Sequence, residues 1–271
     1  MKRKVENKMK KIISVILAVA LMAVCFAGCS DNGTTVADIQ KAGKLTIATS
    51  PDFPPFEFLD ENNNVTGIEI EVMQLICDEL GVELVIEQMN FDSVLPGVQA
   101  GKYDVGVSGI SVTPAREKNT LFTKPYCLAA QAIVVLNGSE ITCKADLEGK
   151  TIAVQSGTTA ESYAMENGYT FNAYAANTDA QEALLAGKVD AWVIDDLTAA
   201  DMVKLYNAEN GDALVVLGEA MTTEPYAFAF KLGNDELVAA ISEIIDNLVA
   251  DGTIAEIFAK YEAPFTSPAQ G

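Results

Sequence analysis

Histidine is absent from all 271 residues, and tryptophan occurs once. Without an imidazole, Ser-His-Asp and Cys-His nucleophilic catalysis and the usual imidazole metal sites are excluded. Arginine is nearly as scarce, since only Arg3 and Arg116 occur, and 18 basic residues face 38 acidic ones for a net charge of −20. So negative a surface repels nucleic acid and anionic headgroups, and no nucleic-acid partner is expected. Cysteine is sparse as well: beyond residue 28 there are Cys29, Cys77, Cys127 and Cys143, without a C-x-x-C pair. Neither a zinc site nor a disulfide framework is indicated, the last three read as buried thiols, and no metal or cofactor is expected.

One long apolar run is present, "IISVILAVALMAVCFAG" from Ile12 to Gly28, behind a lysine-rich start. A basic segment, a short apolar stretch and small residues before a cut describe a secretory signal peptide. The alternative is an uncleaved anchor, for which 17 residues lie at the lower limit of a bilayer span. "AGC" followed by polar "SDNGTT" resembles a lipobox, in which Cys29 is acylated and becomes the new N-terminus, although Phe26 stands where an aliphatic residue is usual. Removing residues 1–28 takes away six basic residues and one acidic residue, leaving 243 residues with 12 basic, 37 acidic and a net charge of −25. Nothing later reads as a second membrane span. The remaining length fits one large domain or two ordinary ones.

Periodicity supplies the architecture. "KLTIATS" (44–50) reads as a strand, and "GIEIEVMQLICDELG" (67–81) puts Ile68, Val72, Leu75, Ile76 and Leu80 on one helical face. "VELVIEQM" alternates as a strand, and "FDSVLPGVQAGKYDVGVSG" reads as a short helix ending near Gly101, then a strand from Asp104 to Ser108. This βαβαβ order implies a parallel sheet covered by helices. The phrases recur: "KTIAVQS" (150–156) echoes the first strand, and "LLAGKVDAWVID" (184–195) echoes "VQAGKYDVGVSG" (98–109). Both copies carry Ala-Gly-Lys-x-Asp, and the second helix has capping-box spacing at Thr178 and Gln181 and a stop at Gly187. Two copies argue for two α/β lobes of like construction. The extended segments "QAIVVLN" (131–137) and "YAFAFKLG" (226–233) are expected to run between the lobes, and residues 234–262 form a closing amphipathic helical stretch. Two crossings make a hinge above a ligand cleft.

Ligands of open parallel sheets bind beyond the carboxyl ends of strands. That rule selects Ser50 and Phe53, then Phe91, then Ser108, Gly109 and Ser111, then Gln155, Thr158 and Thr159, and Asp195. Arg116 follows "SGIS" and can offer a bidentate fork to a carboxylate, with the Gly109 and Ser111 N–H groups and the Ser111 hydroxyl as further donors. "SGTT" (156–159) adds N–H groups and hydroxyls at the start of a helix, and Asp195 faces an ammonium from the other lobe. Phe53 and Phe91 are apolar walls. A carboxylate clamp on one lobe and a carboxylate on the other describe an α-amino acid. Each group also has a plainer reading: Asp195 beside Asp196 as a polar strand end, the two phenylalanines as core, "SGTT" as a turn, and Arg116 in a surface ion pair.

"GIEIEVMQLICDEL" (67–80), with "PPFEF", "FDSVLPGVQAGKYDV", "ISVTPAREK", "FTKPY" and "DGTIAEIFAKY", resembles the family 3 solute-binding proteins, the amino-acid receptors of ABC importers, from about Leu45 to Tyr261. The resemblance implies an α/β chain with the type II periplasmic-binding-protein fold, two α/β lobes with parallel-dominated sheets joined by a two-strand hinge. It implies a monomer, lipid-anchored outside the cell membrane, that delivers one α-amino acid to a membrane permease. Arg116 then clamps the ligand carboxylate with Ser111, Gly109 and Thr159, Asp195 accepts the ammonium, Phe53 and Phe91 sandwich the ligand, and Gln155 touches its side chain. Ser50 stands where members that take basic amino acids carry Asp or Glu, so a polar or uncharged ligand is favoured unless Asp52 or Glu57 compensates. The expected layout is a signal peptide at 1–28, a linker at 29–40, a first lobe at 41–128 and 222–262, a second lobe at 129–221 and a tail at 263–271. The rival is a cyclohexadienyl-type dehydratase on the same fold, with Glu161 or Glu224 as its acid.

Overall fold

The structure is a computed structural model and describes residues 33–268. The expected signal peptide and the expected acylation at Cys29 lie outside the described residues. Among the described residues no helix is long and apolar enough to cross a membrane.

The chain opens with α1 (Val36–Ala42), whose first turn Thr35 and Asp38 cap reciprocally before Gly43 ends it. It continues through β1 (Lys44–Thr49), a small antiparallel flap of β2 (Asp52–Phe53), β3 (Glu57–Leu59) and β4 (Val65–Thr66), then α2 (Ile68–Leu80) and β5 (Glu83–Gln88). Next come α3 (Phe91–Gln99), β6 (Val105–Gly106), β7 (Thr120–Phe122), β8 (Cys127–Ala129) and β9 (Gln131–Leu136). The second half carries β10 (Thr151–Gln155), α4 (Thr159–Glu166), β11 (Thr170–Tyr174), α5 (Asn177–Leu185), β12 (Ala191–Asp195), α6 (Asp196–Asn210) and β13 (Leu214–Val216). It closes with β14 (Glu224–Tyr226), β15 (Ala229–Lys231), α7 (Asp235–Ala250) and α8 (Thr253–Lys260).

These strands form two five-stranded sheets of matching plan, β5-β1-β6-β15-β7 and β11-β10-β12-β9-β13. In each, the first three strands are parallel and the next joins antiparallel. The repeated Ala-Gly-Lys-x-Asp phrase has the same physical task in both lobes. Gly101 (φ 69°) and Gly187 (φ 66°) turn the chain out of α3 and α5 in the left-handed region. Asp104 then accepts the Thr46 N–H at 2.8 Å, and Asp190 accepts the Thr151 N–H at 2.7 Å. Each aspartate thereby ties the entry to its lobe's third strand to that lobe's first.

The lobes are joined by β8 and β14, which pair antiparallel from Cys127↔Tyr226 to Glu224↔Ala129. The apolar segments 131–137 and 226–233, read from sequence as the connections, are mostly central strands: β9 lies between β12 and β13, and β15 between β6 and β7. An apolar extended run has the same composition in either position, and burial on both faces decides for the sheet interior. After β15 the chain packs α7 and α8 on α2. The apolar face of α2 buries Ile68, Val72, Ile76 and Leu80 as its spacing requires, while Glu69 is fully buried with them. An aromatic cluster runs up to the hinge: Phe56 meets Tyr226 and Phe258 at ring separations of 5.2 and 5.9 Å, and Tyr126 stacks on Phe228 at 5.1 Å. Each ring contributes about 1.5–3 kcal/mol by leaving water, which fixes the floor on which the cleft is built.

Candidate functional site

Parallel pairing of β1 with β6 brings Ser50 and Ser108 side by side, and the Ser50 N–H donates to Ser108 Oγ at 3.0 Å. Ser108 Oγ donates onward to Glu57 Oε1 at 2.9 Å. Gly109 (φ 54°) packs so closely that a Cβ would lie 2.5 Å from the Phe53 ring, so the position requires glycine. The Gly109 N–H, expected as a donor facing the cleft, instead donates inward to Glu69 Oε2 at 3.0 Å. A carboxylate at zero exposure must find its donors inside the protein.

Arg116 is half-buried. Nη1 donates to Ser111 O at 2.8 Å, Nη2 reaches across to Gly157 O of the second lobe at 3.1 Å, and the guanidinium stands 5.7 Å from the centre of the Phe91 ring. Burial weakens its hold on the proton, while the charges of Glu224 and Asp195 strengthen it. Phe53 belongs to the aromatic cluster, stacked 5.8 Å from Phe56.

From the second lobe, Gln155 and Asp195 end β10 and β12. Asp195 accepts from Gln131 Nε2 at 2.5 Å and from the Tyr226 hydroxyl. Burial, followed by repulsion from Glu224, pushes its carboxyl well above the usual range. Thr158 caps α4, accepting the Glu161 N–H at 3.2 Å and donating to Gln155 O at 2.7 Å, so its hydroxyl is engaged within its own turn. Thr159 Oγ1 donates to Glu224 Oε2 at 2.8 Å. Ser111 Oγ donates to the same oxygen, and Thr222 Oγ1 to Glu224 Oε1 at 2.9 Å. Glu224, considered from sequence only as a catalytic acid, thus uses its carboxylate as an acceptor on the hinge. Glu161 likewise accepts the Gly157 N–H at 2.7 Å. Sequence reasoning gave Gln131, Thr222 and Tyr226 no part in the cleft. Strands that cross between lobes line the floor between them, and the second crossing, read from sequence near 222, is β14 with Glu224 and Tyr226 on it.

Asp52 bridges the lobes opposite the hinge. Its carboxylate accepts from Ser50 Oγ at 2.8 Å, from Gln155 Nε2 at 3.1 Å and from the Asn177 N–H at 2.7 Å. The capping box expected at Thr178 and Gln181 is absent: α5 starts at Asn177, its N-cap is Ala176, and no local side chain caps it. Asp52 of the other lobe does so. Burial raises the Asp52 carboxyl against the lowering by these bonds. Gly157 (φ 80°) lies where a Cβ would be 3.0 Å from Asp92 Cα, so the lobes meet backbone to backbone.

A cavity of about 560 Å³ opens beside Arg116 and is lined also by Ser111, Thr159, Tyr163, Thr222 and Glu224. Another of about 740 Å³ lies on the Asp52 side, along Pro54, Phe58, Gln181, Leu205 and Tyr206. Both have the volume of small-molecule sites. Among the described residues no group of three His, Cys, Asp or Glu is placed to hold a metal ion.

The family model of bacterial extracellular solute-binding proteins, family 3, matches residues 45–264. The chain belongs to this family. Among family 3 relatives, the L-cystine-binding protein TcyJ of Escherichia coli strain K12 is 29% identical over 251 residues, covering 91% of this chain and 92% of its own. A crystal structure of a mutant of ArgBP from T. maritima is 35% identical with a TM-score of 0.78, covering 84% and 99%. That of the amino acid ABC transporter substrate-binding protein AbpA from Streptococcus pneumoniae, bound to L-arginine, is 31% identical with a TM-score of 0.76, covering 83% and 97%. The two sheets joined by two strands are the type II periplasmic-binding-protein fold. Family 3 membership makes the chain an extracellular solute-binding protein and not an enzyme.

Proposed function

We propose that this protein is the extracytoplasmic substrate-binding component of an ABC importer, holding a single α-amino acid between its lobes and delivering it to a membrane permease. One observation carries the reading. Arg116 of one lobe lines a cavity with Thr159 of the other, Asp195 ends β12 near enough for its charge to act on the guanidinium, and neither Arg116 nor Asp195 has an ion-pair partner among the described residues. Charges withdrawn from water cost several kcal/mol unless paired, and a zwitterion pairs both at once. The ligand carboxylate joins the Arg116 fork, and the Ser111 and Thr159 hydroxyls, which donate to Glu224 without a ligand, turn to it. Its ammonium meets Asp195, held in orientation by Gln131 and Tyr226. Phe53 and Phe91 flank the carbon skeleton, and Ser50, Ser108, Gly109, Gln155 and Thr158 shape the turns around it. At the far end Asp52 stands beside Ser50 and Gln155, so a basic side chain has a counter-charge even though Ser50 has none. L-cystine and L-arginine, bound by the relatives, both satisfy the zwitterion rule.

Closure swings the lobes about β8 and β14, and the Asp52 contacts hold the closed form. Export by residues 1–28 and acylation of Cys29 keep the monomer at the membrane surface. A thermal-shift screen of the twenty amino acids and L-cystine tests the reading. A ligand at 100 times its dissociation constant adds about 2.7 kcal/mol, or roughly 5–10 °C for a domain of this size. No shift with any of them would overturn it.

A further inference from the structure

Two glutamates outside the binding scheme sit at zero exposure beneath the Ser108–Gly109 turn. Glu57 comes from β3 and Glu69 from the first turn of α2. They are not equivalent. Glu69 accepts the Gly109 N–H at 3.0 Å through Oε2 and the Tyr126 hydroxyl at 2.5 Å through Oε1. Among the described residues Glu57 accepts only Ser108 Oγ, at 2.9 Å through Oε1, and its Oε2 finds no donor. Two buried carboxyls that hold consecutive residues repel unless one carries a proton. The remaining titratable groups around the pair, Asp52 on β2, Tyr126 and Cys127, include no cation.

We infer that Glu57 and Glu69 share one proton, held on Glu57 and donated to Glu69, and that this carboxyl–carboxylate pair positions the Ser108–Gly109 turn. The distribution of donors fixes the assignment: Glu69, with two donors of its own, is the ionised member, and Glu57, with an unmatched oxygen, is the acid. Burial, then repulsion from Glu69, raises Glu57 well above the usual carboxylate range, in the same direction. The pair reaches the cleft by two routes. Glu57 orients Ser108 Oγ, which accepts the Ser50 N–H, and Glu69 fixes the Gly109 amide against the Phe53 ring. Both glutamates are therefore positioning residues for the carboxylate end of the site, an assignment of role that rests on the amino-acid reading.

Glu57→Gln and Glu69→Gln separate the two members in ligand-free protein. Infrared spectroscopy at neutral pH is expected to give protonated-carboxyl absorption in the wild type from which the Glu57 component is lost in E57Q, while that of Asp195, also raised by burial, remains. The side-chain amide introduced by E57Q replaces the acid as donor, so the Gly109 amide resonance is expected to stay in place in E57Q and to move in E69Q. If E69Q does not fold, E57Q alone decides. A carboxyl band that is unchanged in E57Q, or a Gly109 resonance that moves in E57Q, overturns the shared proton. Neither readout uses a ligand, so failure here leaves the amino-acid reading standing, and a failed ligand screen leaves the proton on the pair while removing the role given to its turn.

Discussion

Replacing Asp52 with alanine isolates the contact that spans the two lobes. Asp52 supplies the only side-chain cap of α5 among the described residues, because Ala176 at the N-cap has nothing to offer the Asn177 N–H. Loss of a cap costs about 0.5–2 kcal/mol, and loss of a charged hydrogen bond such as that from Gln155 costs about 1.5 kcal/mol more. Against this, Asp52→Ala removes a carboxylate whose burial is unfavourable, as its raised pKa records. The net loss is about 1–2 kcal/mol, or roughly 5- to 30-fold in the ratio of closed to open forms. The cap exists only while the lobes touch. Its loss therefore weakens ligand binding by that factor, as calorimetric titration would read, and increases the radius of gyration in X-ray scattering while helical circular dichroism is unchanged. Affinity within twofold of wild type together with unchanged scattering would refute the idea that Asp52 holds the lobes together.

Arg116→Ala removes the one guanidinium of the cleft and is expected to weaken amino-acid binding tens- to thousands-fold, from a loss of about 2–5 kcal/mol; calorimetry with the ligand found by the screen measures it. Gly157→Ala puts a Cβ 3.0 Å from Asp92 Cα at φ 80°, so the melting temperature of the unliganded protein falls by the strain of the positive φ and ligand affinity falls as well through the contact with Asp92; thermal melts and calorimetry measure the two effects, and an unchanged affinity would contradict the contact. Asp195, Glu57, Glu69 and Asp52 all have folded-state pKa values raised by burial, so their contribution is complete below the ordinary carboxylate range and is lost as pH rises through the raised values. Thermal melts should therefore show the unliganded protein less stable at about pH 8 than at about pH 5, and a melting temperature that rises over that interval would contradict this.

Local chemistry was legible in the sequence. Ala-Gly-Lys-x-Asp declared the repeat because every part of it acts locally: the glycine turns the chain, and the aspartate ties a strand to its neighbour. The face of α2 and the closing helices followed from spacing alone. What escaped depends on partners far away in the chain. Thr178 looked like the start of a helix whose cap comes from Asp52, 125 residues earlier. Glu69 and Glu71, two residues apart at the start of α2, are not told apart by the sequence, yet the two divide, one to a fully buried network with Tyr126 and the other to Lys260 on α8 at 2.5 Å. The Gly109 N–H was assigned to the cleft because nothing in the sequence reveals that a buried carboxylate lies behind it. The positions chosen by topology lie at strand ends, whereas Gln131, Thr222 and Tyr226 were not singled out; the bonds of Gln131 and Tyr226 to Asp195 join residues far apart in the chain.

Titration of chemically blocked ligands tests the Arg116–Asp195 clamp most directly. The amino acid selected by the screen, its methyl ester and its N-acetyl derivative are compared by calorimetry on the wild-type protein. Blocking either charge leaves a desolvated partner unpaired, so both derivatives should bind at least roughly 30-fold more weakly, a loss of ~2 kcal/mol or more. An ester or an N-acetyl derivative that binds as tightly as the free amino acid would contradict the clamp.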